Sequence, residues 1–229
     1  MRSIHETNLP TSLNSGIMNI DHILRKTFTK NYIQVYKPAK LSPPEKLLEV
    51  ISAWKGLELI IEDILDGFEI DRNNCIEFGV EFGYSAVVFS NFFKQVIGVD
   101  TFEGDVHTDN KTNHYDETKA RLASYENIKL FKSDYQNWIL DDNARYNFAH
   151  VDIVHNYKET FECGMWTARH SDCTIFHDTE SFPEVRQAVI DIANETGQYL
   201  YNYPQHFGLG ILVDKKGIKA RKTSKYSGN

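Results

Sequence analysis

The residues whose types and spacing could do chemistry begin with Glu77-Phe78-Gly79-Val80-Glu81-Phe82-Gly83-Tyr84-Ser85. A short apolar run precedes this segment and a helix-like run follows it. Gly79 and Gly83 bracket a turn, where glycine permits positive φ and lets backbone come close to a ligand. The helix start beside them offers free N–H groups. A second strand-like run ends in Asp100, about twenty residues past the glycine turn, where a carboxylate can accept hydrogen bonds from ribose hydroxyls. A third leads to Ser133-Asp134, whose carboxylate could take the exocyclic amine of adenine or simply cap the next helix. Three strand ends in order outline a nucleoside-shaped site. The loop is not the dinucleotide G-x-G-x-x-G; its G-x-x-x-G spacing suits a nucleoside without a pyrophosphate.

Such a site needs strands that finish side by side, and the chain supplies an alternation of the right kind. Strands are expected at Cys75–Phe78, Gln95–Val99, Ile128–Lys132, Phe148–Val154, Thr174–His177, Tyr199–Tyr203 and Leu209–Val213. Helices are expected at Tyr84–Phe93, His114–Tyr125, Tyr157–Ala168 and Glu184–Glu195. Strand-helix alternation implies an α/β fold, a Rossmann-like, doubly wound, mainly parallel seven-stranded sheet covered on both faces. The last two strands are joined by Pro204–Gly208 without a helix, which predicts a hairpin and an antiparallel edge strand.

Ahead of the sheet, Ser42-Pro43-Pro44-Glu45 reads as a helix start, with serine as N-cap and prolines in the first turn. The spacing predicts a helix through Leu47, Leu48, Val50, Ile51 and Trp54, and a second from Leu57 to Leu65. The expected organisation is an N-terminal helical extension over 1–70, acting as lid or substrate cap, a cofactor-binding domain over 71–214, and a basic tail over 215–229. The polar stretch Glu103–His114 reads as a lid loop.

Composition narrows the classes. The chain of 229 residues is 41% apolar and 25% charged, the balance of a soluble globular protein. Its net charge of −7 argues against nucleic acid as a partner. It has no run long and apolar enough for a membrane span. Cys75, Cys163 and Cys173 form no C-x-x-C pair, which points to a reduced, cytoplasmic setting.

Glu77-x-Gly79-x-x-x-Gly83-x-Ser85, Asp100-Thr101-Phe102-Glu103-Gly104, Val151-Asp152-x-x-His155-x-Tyr157 and Phe176-His177-Asp178-Thr179 together resemble the class I S-adenosylmethionine-dependent methyltransferases. Within that class they are similar to the small-molecule O-methyltransferases related to macrocin and catechol O-methyltransferases. The resemblance spans about residues 70–214. It implies S-adenosylmethionine as cofactor, held by Glu77, Gly79, Gly83, Ser85, Asp100, Thr101, Phe102 and Asp134. It also implies Mg²⁺ on Asp152 and Asp178, although Val154 and Thr179 stand where relatives often carry further acidic ligands.

Methyl transfer demands in-line alignment and an activated acceptor. His155 directly follows the fourth strand and titrates near neutrality, so it is a candidate base. His177 could share that role or orient Asp152. Tyr157 and Trp166 read as packing. The expected partner is a small hydroxylated acceptor such as a sugar, and N-terminal aromatics would suit a homodimer. Two other readings are a non-catalytic nucleoside-binding module and another nucleotide-dependent enzyme on the same fold, an oxidoreductase or hydroxylase relative.

Overall fold

The structure, a computed structural model, describes residues 33–104 and 113–214. The leader, most of the expected lid loop and the basic tail lie outside those residues.

In chain order the elements are β1 (Gln34–Val35), α1 (Glu58–Gly67), β2 (Asn74–Phe78), α2 (Tyr84–Ser90), β3 (Gln95–Asp100), α3 (Tyr115–Arg121) and β4 (Ile128–Lys132). Then come α4 (Tyr135–Asp141), β5 (Tyr146–Val151), α5 (Tyr157–His170), β6 (Ser171–His177), α6 (Pro183–Thr196), β7 (Tyr199–Tyr203) and β8 (Leu209–Val213). They build one eight-stranded sheet in the order β1-β7-β8-β6-β5-β2-β3-β4. Every pairing is parallel except those of β8 with β6 and β7. The α/β Rossmann-like class is therefore as expected, with one strand more than the seven counted. The antiparallel strand is β8, and it lies inside the sheet because the hairpin turns β8 back between β6 and β7.

Parallel strands covered on both faces read as apolar runs, and β5, β6 and β8 are almost wholly buried. One core gathers Leu57, Ile60, Ile61 and Ile64 with Cys75, Phe89 and Phe148. The opposite core packs Ile76, Phe78 and Val151 beneath Cys163, Val189 and Ile192 of α5 and α6. The stripe that predicted α1 is thus correct, but α1 shares its core with β2 and β5, and β1 joins the main sheet. Among the described residues, 33–70 share a core and a sheet with the residues that follow.

The helix expected from Pro43 to Trp54 does not form. Tertiary hydrogen bonds have taken that stretch of backbone. Asn91 Oδ1 accepts from the Lys46 amide at 2.7 Å, and Asn91 Nδ2 donates to the Lys46 carbonyl at 2.9 Å. The Ser42 amide donates to the Leu59 carbonyl at 2.8 Å. A good N-cap signal loses to a clamp contributed from 45 residues away. The segment consequently runs as an irregular strap that ends with Ile51–Trp54 over the C-terminal edge of the sheet.

Candidate active site

The order β4-β3-β2-β5-β6 places the chain reversal between β2 and β5, and an open α/β sheet binds ligands outside the carboxyl ends of its strands at such a point. A cavity of about 620 Å³ opens there. Its wall collects the ends of five strands: the glycine turn after β2, Asp100 and Thr101 after β3, Ser133 and Asp134 after β4, Asp152 and His155 after β5, and His177 and Asp178 at β6.

The glycine turn is shaped first by the protein itself. Gly79 has φ 87° and Gly83 φ 89°. A Cβ on Gly79 would lie 1.7 Å from the carbonyl oxygen of Asp152, so the loop is pressed against the backbone of the next strand end. Asp100 braces the same loop. Its Oδ2 accepts from the Val80 and Glu81 amides at 2.7 and 2.8 Å, and its Oδ1 from the Phe102 amide at 2.7 Å. Oδ1, with one donor, keeps a lone pair for a ribose hydroxyl. The cavity is open, and Asp100 forms part of its wall.

Gly83 is outside the cavity wall, as the αL residue at the start of α2 packed toward Leu122, and Gly79, Ser85, Asp100, Thr101 and Asp134 are brought together at that wall. Glu77 and Phe102 are not. Phe102 is fully buried against His114 and Tyr115, because its positive φ of 55° turns the side chain inward. Asp134 does both things its position allowed. It lines the cavity, and it caps α4 by accepting from the Asn137 amide at 2.7 Å.

Glu77 lies beneath the loop, fully buried, in a relay that sequence reasoning missed. Trp54 Nε1 donates to His150 Nε2 at 3.1 Å, and His150 Nδ1 lies 2.8 Å from Glu77 Oε1. Indole N–H can only donate. His150 Nε2 is therefore unprotonated, the ring is neutral, and Nδ1–H donates to Glu77. Burial pushes the Glu77 carboxyl up, against the opposing pull of His150 and Ser85. A histidine inside the apolar run Phe148–Val151 was the available signal, since a buried imidazole requires partners. Those partners are 73 and 96 residues distant in sequence.

At the other end of the cavity, Asp152, His155, His177 and Asp178 form one cluster. His155 Nε2 is 2.9 Å from Asp178 Oδ2 and 3.5 Å from Asp152 Oδ1. His177 Nδ1 is 3.1 Å from Asp152 Oδ2 and 3.2 Å from Asp178 Oδ2. Burial would lower both imidazoles, but the two carboxylates outweigh it. His155 is pushed up to about 9 and His177 up to about 10. Burial likewise opposes ionisation of Asp152 and Asp178, yet the two histidines lower both, Asp152 well below the usual carboxylate range. Two imidazolium and two carboxylate groups thus nearly neutralise one another. Asp178 sits at φ 63°, a costly conformation for a non-glycine residue, and such strain clusters at working sites.

One oxygen each from Asp152 and Asp178 and one ring nitrogen from His155 lie within 4.8 Å of one another. Asp152 and Asp178 alone would be a thin set for a hard cation; His155 completes a three-donor group that fits a divalent ion. Outside this cluster, Trp166 packs edge-on to Phe78 and stacks on His170, and the Tyr157 hydroxyl donates to Asp191 on the protein's outer side. His206 is not a loose hairpin tip, since its ring fills the place a side chain on Gly56 would need.

No family model and no curated protein sequence matches the chain. Solved structures do. The O-methyltransferase NovP is similar with a TM-score of 0.55 and 13% identity, covering 66% of this chain and 78% of that one. An O-methyltransferase from Bacillus cereus in complex with S-adenosylhomocysteine gives 0.52 and 10%, covering 86% and 91%. TomG from Streptomyces achromogenes, an O-methyltransferase of tomaymycin synthesis in complex with S-adenosylmethionine, gives 0.50 and 14%, covering 72% and 81%. The fold of this chain is that of the class I S-adenosylmethionine-dependent methyltransferases.

Proposed function

We propose that this protein transfers a methyl group from S-adenosylmethionine to a hydroxyl of a small molecule. The observation that carries the reading is one continuous cavity with a nucleoside-shaped end, at the glycine turn and Asp100, and a proton-handling end, at Asp152, His155, His177 and Asp178. The complexes of the Bacillus cereus and TomG proteins support the choice of cofactor.

In this reading Ser85 and the Gly79 turn face the methionine end. Asp100 accepts from the ribose, and Ser133 and Asp134 meet the adenine. The sulfonium then lies toward Asp152, where an acceptor hydroxyl beside Asp152 and Asp178 stands in line with its methyl group. Neither histidine is a free base at neutral pH, since the carboxylates beside them accept from both rings and hold them in the protonated form. The cluster instead works as a unit. Asp152 and Asp178 accept the hydroxyl's hydrogen bond, one of them takes its proton as the C–O bond forms and the C–S bond breaks, and the histidines keep both carboxylates ionised beforehand. A divalent cation on Asp152, His155 and Asp178, which would displace the proton from His155, would supply Lewis-acid activation of the hydroxyl. The mixed oxygen and nitrogen donors suit manganese, iron or zinc at least as well as Mg²⁺.

The three cysteines are buried and unpaired, in keeping with a reducing, cytoplasmic setting. Among the described residues no helix is long and apolar enough to cross a membrane. Calorimetry with S-adenosylmethionine, S-adenosylhomocysteine and NAD tests the reading. Binding of the two sulfur nucleosides and not NAD supports it, and NAD binding alone would overturn it. Methyl transfer to a panel of sugars and phenols then separates an enzyme from a binding module.

A further inference from the structure

The methyl-transfer reading leaves the acceptor open, and the charges around the cavity narrow it. Among the described residues no lysine or arginine lines the cavity, and its ionisable lining is made of carboxylates, histidines and tyrosines. Lys55, whose Nζ sits 5.8 Å from the centre of the Tyr84 ring, is not part of the lining.

Most of the carboxylates have work within the protein. Asp152 and Asp178 are balanced by His155 and His177. Glu103 is paired with Lys132 at 3.0 Å. Asp100 is spent on three loop amides and Asp134 on capping α4, partners that bring dipoles and no cation. Glu159 differs. It lies in the first turn of α5, four residues past His155, and lines the cavity half-buried. Its backbone amide is capped by Asn156 at 3.0 Å, while its carboxylate has no hydrogen bond or ion pair among the described residues.

A phosphate or carboxylate entering such a cavity would be desolvated beside like charges, and the two imidazolium groups there, His155 and His177, are already held by Asp152 and Asp178. Unpaired charge of this kind is how a site rejects a competitor. The cofactor eases this only in part, because its sulfonium and ammonium are offset by its own carboxylate. On the methyl-transfer reading, we propose that the acceptor is a hydroxyl compound free of phosphate and carboxylate, bound more tightly still when it carries an amine, and that Glu159 sets this preference. The preference is electrostatic, so it weakens as ionic strength rises.

The test uses the full-length chain with and without saturating S-adenosylhomocysteine, whose own binding, followed by calorimetry, reports on the methyl-transfer reading separately. Two matched series are titrated by ligand-observed NMR: dopamine, 4-methylcatechol and 3,4-dihydroxybenzoate, and glucosamine, glucose and glucose 6-phosphate. In the series that fits the cavity, the anionic member is expected to bind at least ten-fold more weakly than the neutral one, and the amine at least as tightly. Glu159→Gln should shrink that gap about three-fold and Glu159→Lys should close or invert it, with nucleoside binding and the unfolding temperature unchanged. The proposal is overturned if the anionic members bind as tightly as the neutral ones, if no member of either series binds, or if the gap is the same in Glu159→Gln. A chain that binds no sulfur nucleoside yet keeps the charge preference would sink the methyl-transfer reading alone.

Discussion

Two histidine–carboxylate arrangements stand at neighbouring strand ends and do opposite things. His150 on β5 meets Glu77 at 2.8 Å with both side chains wholly buried. Two residues on, Asp152 meets His177 at 3.1 Å, and the Asp152 side chain is 25% exposed. The residue types are the same; the third partner differs. Trp54 can only donate, so it holds His150 in one neutral tautomer and makes the relay a strut between the strap and β2. The second histidine of the other group sees two carboxylates, which hold both rings protonated at the mouth of a cavity. A buried pair with a donor-only neighbour is structural; an open quartet with shared protons can exchange them with a ligand.

The widest split should come from removing one charge on each side. Asp152→Asn is expected to lower kcat on the order of 10³-fold, since on the proposed function it removes a carboxylate that would meet the acceptor hydroxyl, together with a partner that keeps His177 charged. Affinity for S-adenosylhomocysteine should stay within a few-fold. Equal losses of turnover and nucleoside binding would mean that Asp152 belongs to the cofactor half.

His150→Ala should do the reverse. It strands the Trp54 indole and leaves Glu77 buried without its donor, which costs about 3 kcal/mol or more. For a chain of this size that is a fall of roughly 10 °C in Tm by calorimetry. His155→Ala, at a partly exposed place in the quartet, should move Tm by about 3 °C or less while removing most of the activity. Similar Tm losses in the two variants would erase the distinction between strut and site.

Trp54→Phe sits between these cases. It keeps the aromatic contact with Phe89, 5.3 Å between ring centres, and leaves His150 Nε2 without a donor, a cost of about 1–3 kcal/mol. Because Ile51–Trp54 also roof the cavity, the acceptor KM should rise more than kcat falls.

What could be read from the sequence divides along the same line. The strand ends that carry Gly79, Asp100, Asp134, Asp152 and Asp178 were legible because each is marked locally by an apolar run followed by glycine or a carboxylate. The strut was not, because Trp54, His150 and Glu77 meet only once the sheet has formed. The strap was misread for a related reason: Ser42-Pro43-Pro44 is a sound local helix signal, and Asn91 overrides it from α2's far end. A two-residue β1 carries too little pattern to notice. Phe102 shows the limit of motif transfer, since its motif neighbours reach the cavity wall while its own backbone turns it into the core.

The smallest expected effect is the sharpest test of the strut. If His150 is neutral and donates through Nδ1, Gln at position 77 offers the same carbonyl acceptor, and Glu77→Gln should change stability at pH 7 by less than about 1 kcal/mol or raise it. Burial raises the Glu77 carboxyl in the folded chain. A raised carboxyl costs nothing below its unfolded value, and the penalty grows as pH climbs from there through the folded value. The variant lacks that titration, so its stability relative to the parent should increase across that window and level off above it. Denaturant unfolding at a series of pH values reads this out. A loss of several kcal/mol at pH 7 would instead mark an ion pair with His150 protonated on both nitrogens, and Trp54 could not then be its donor.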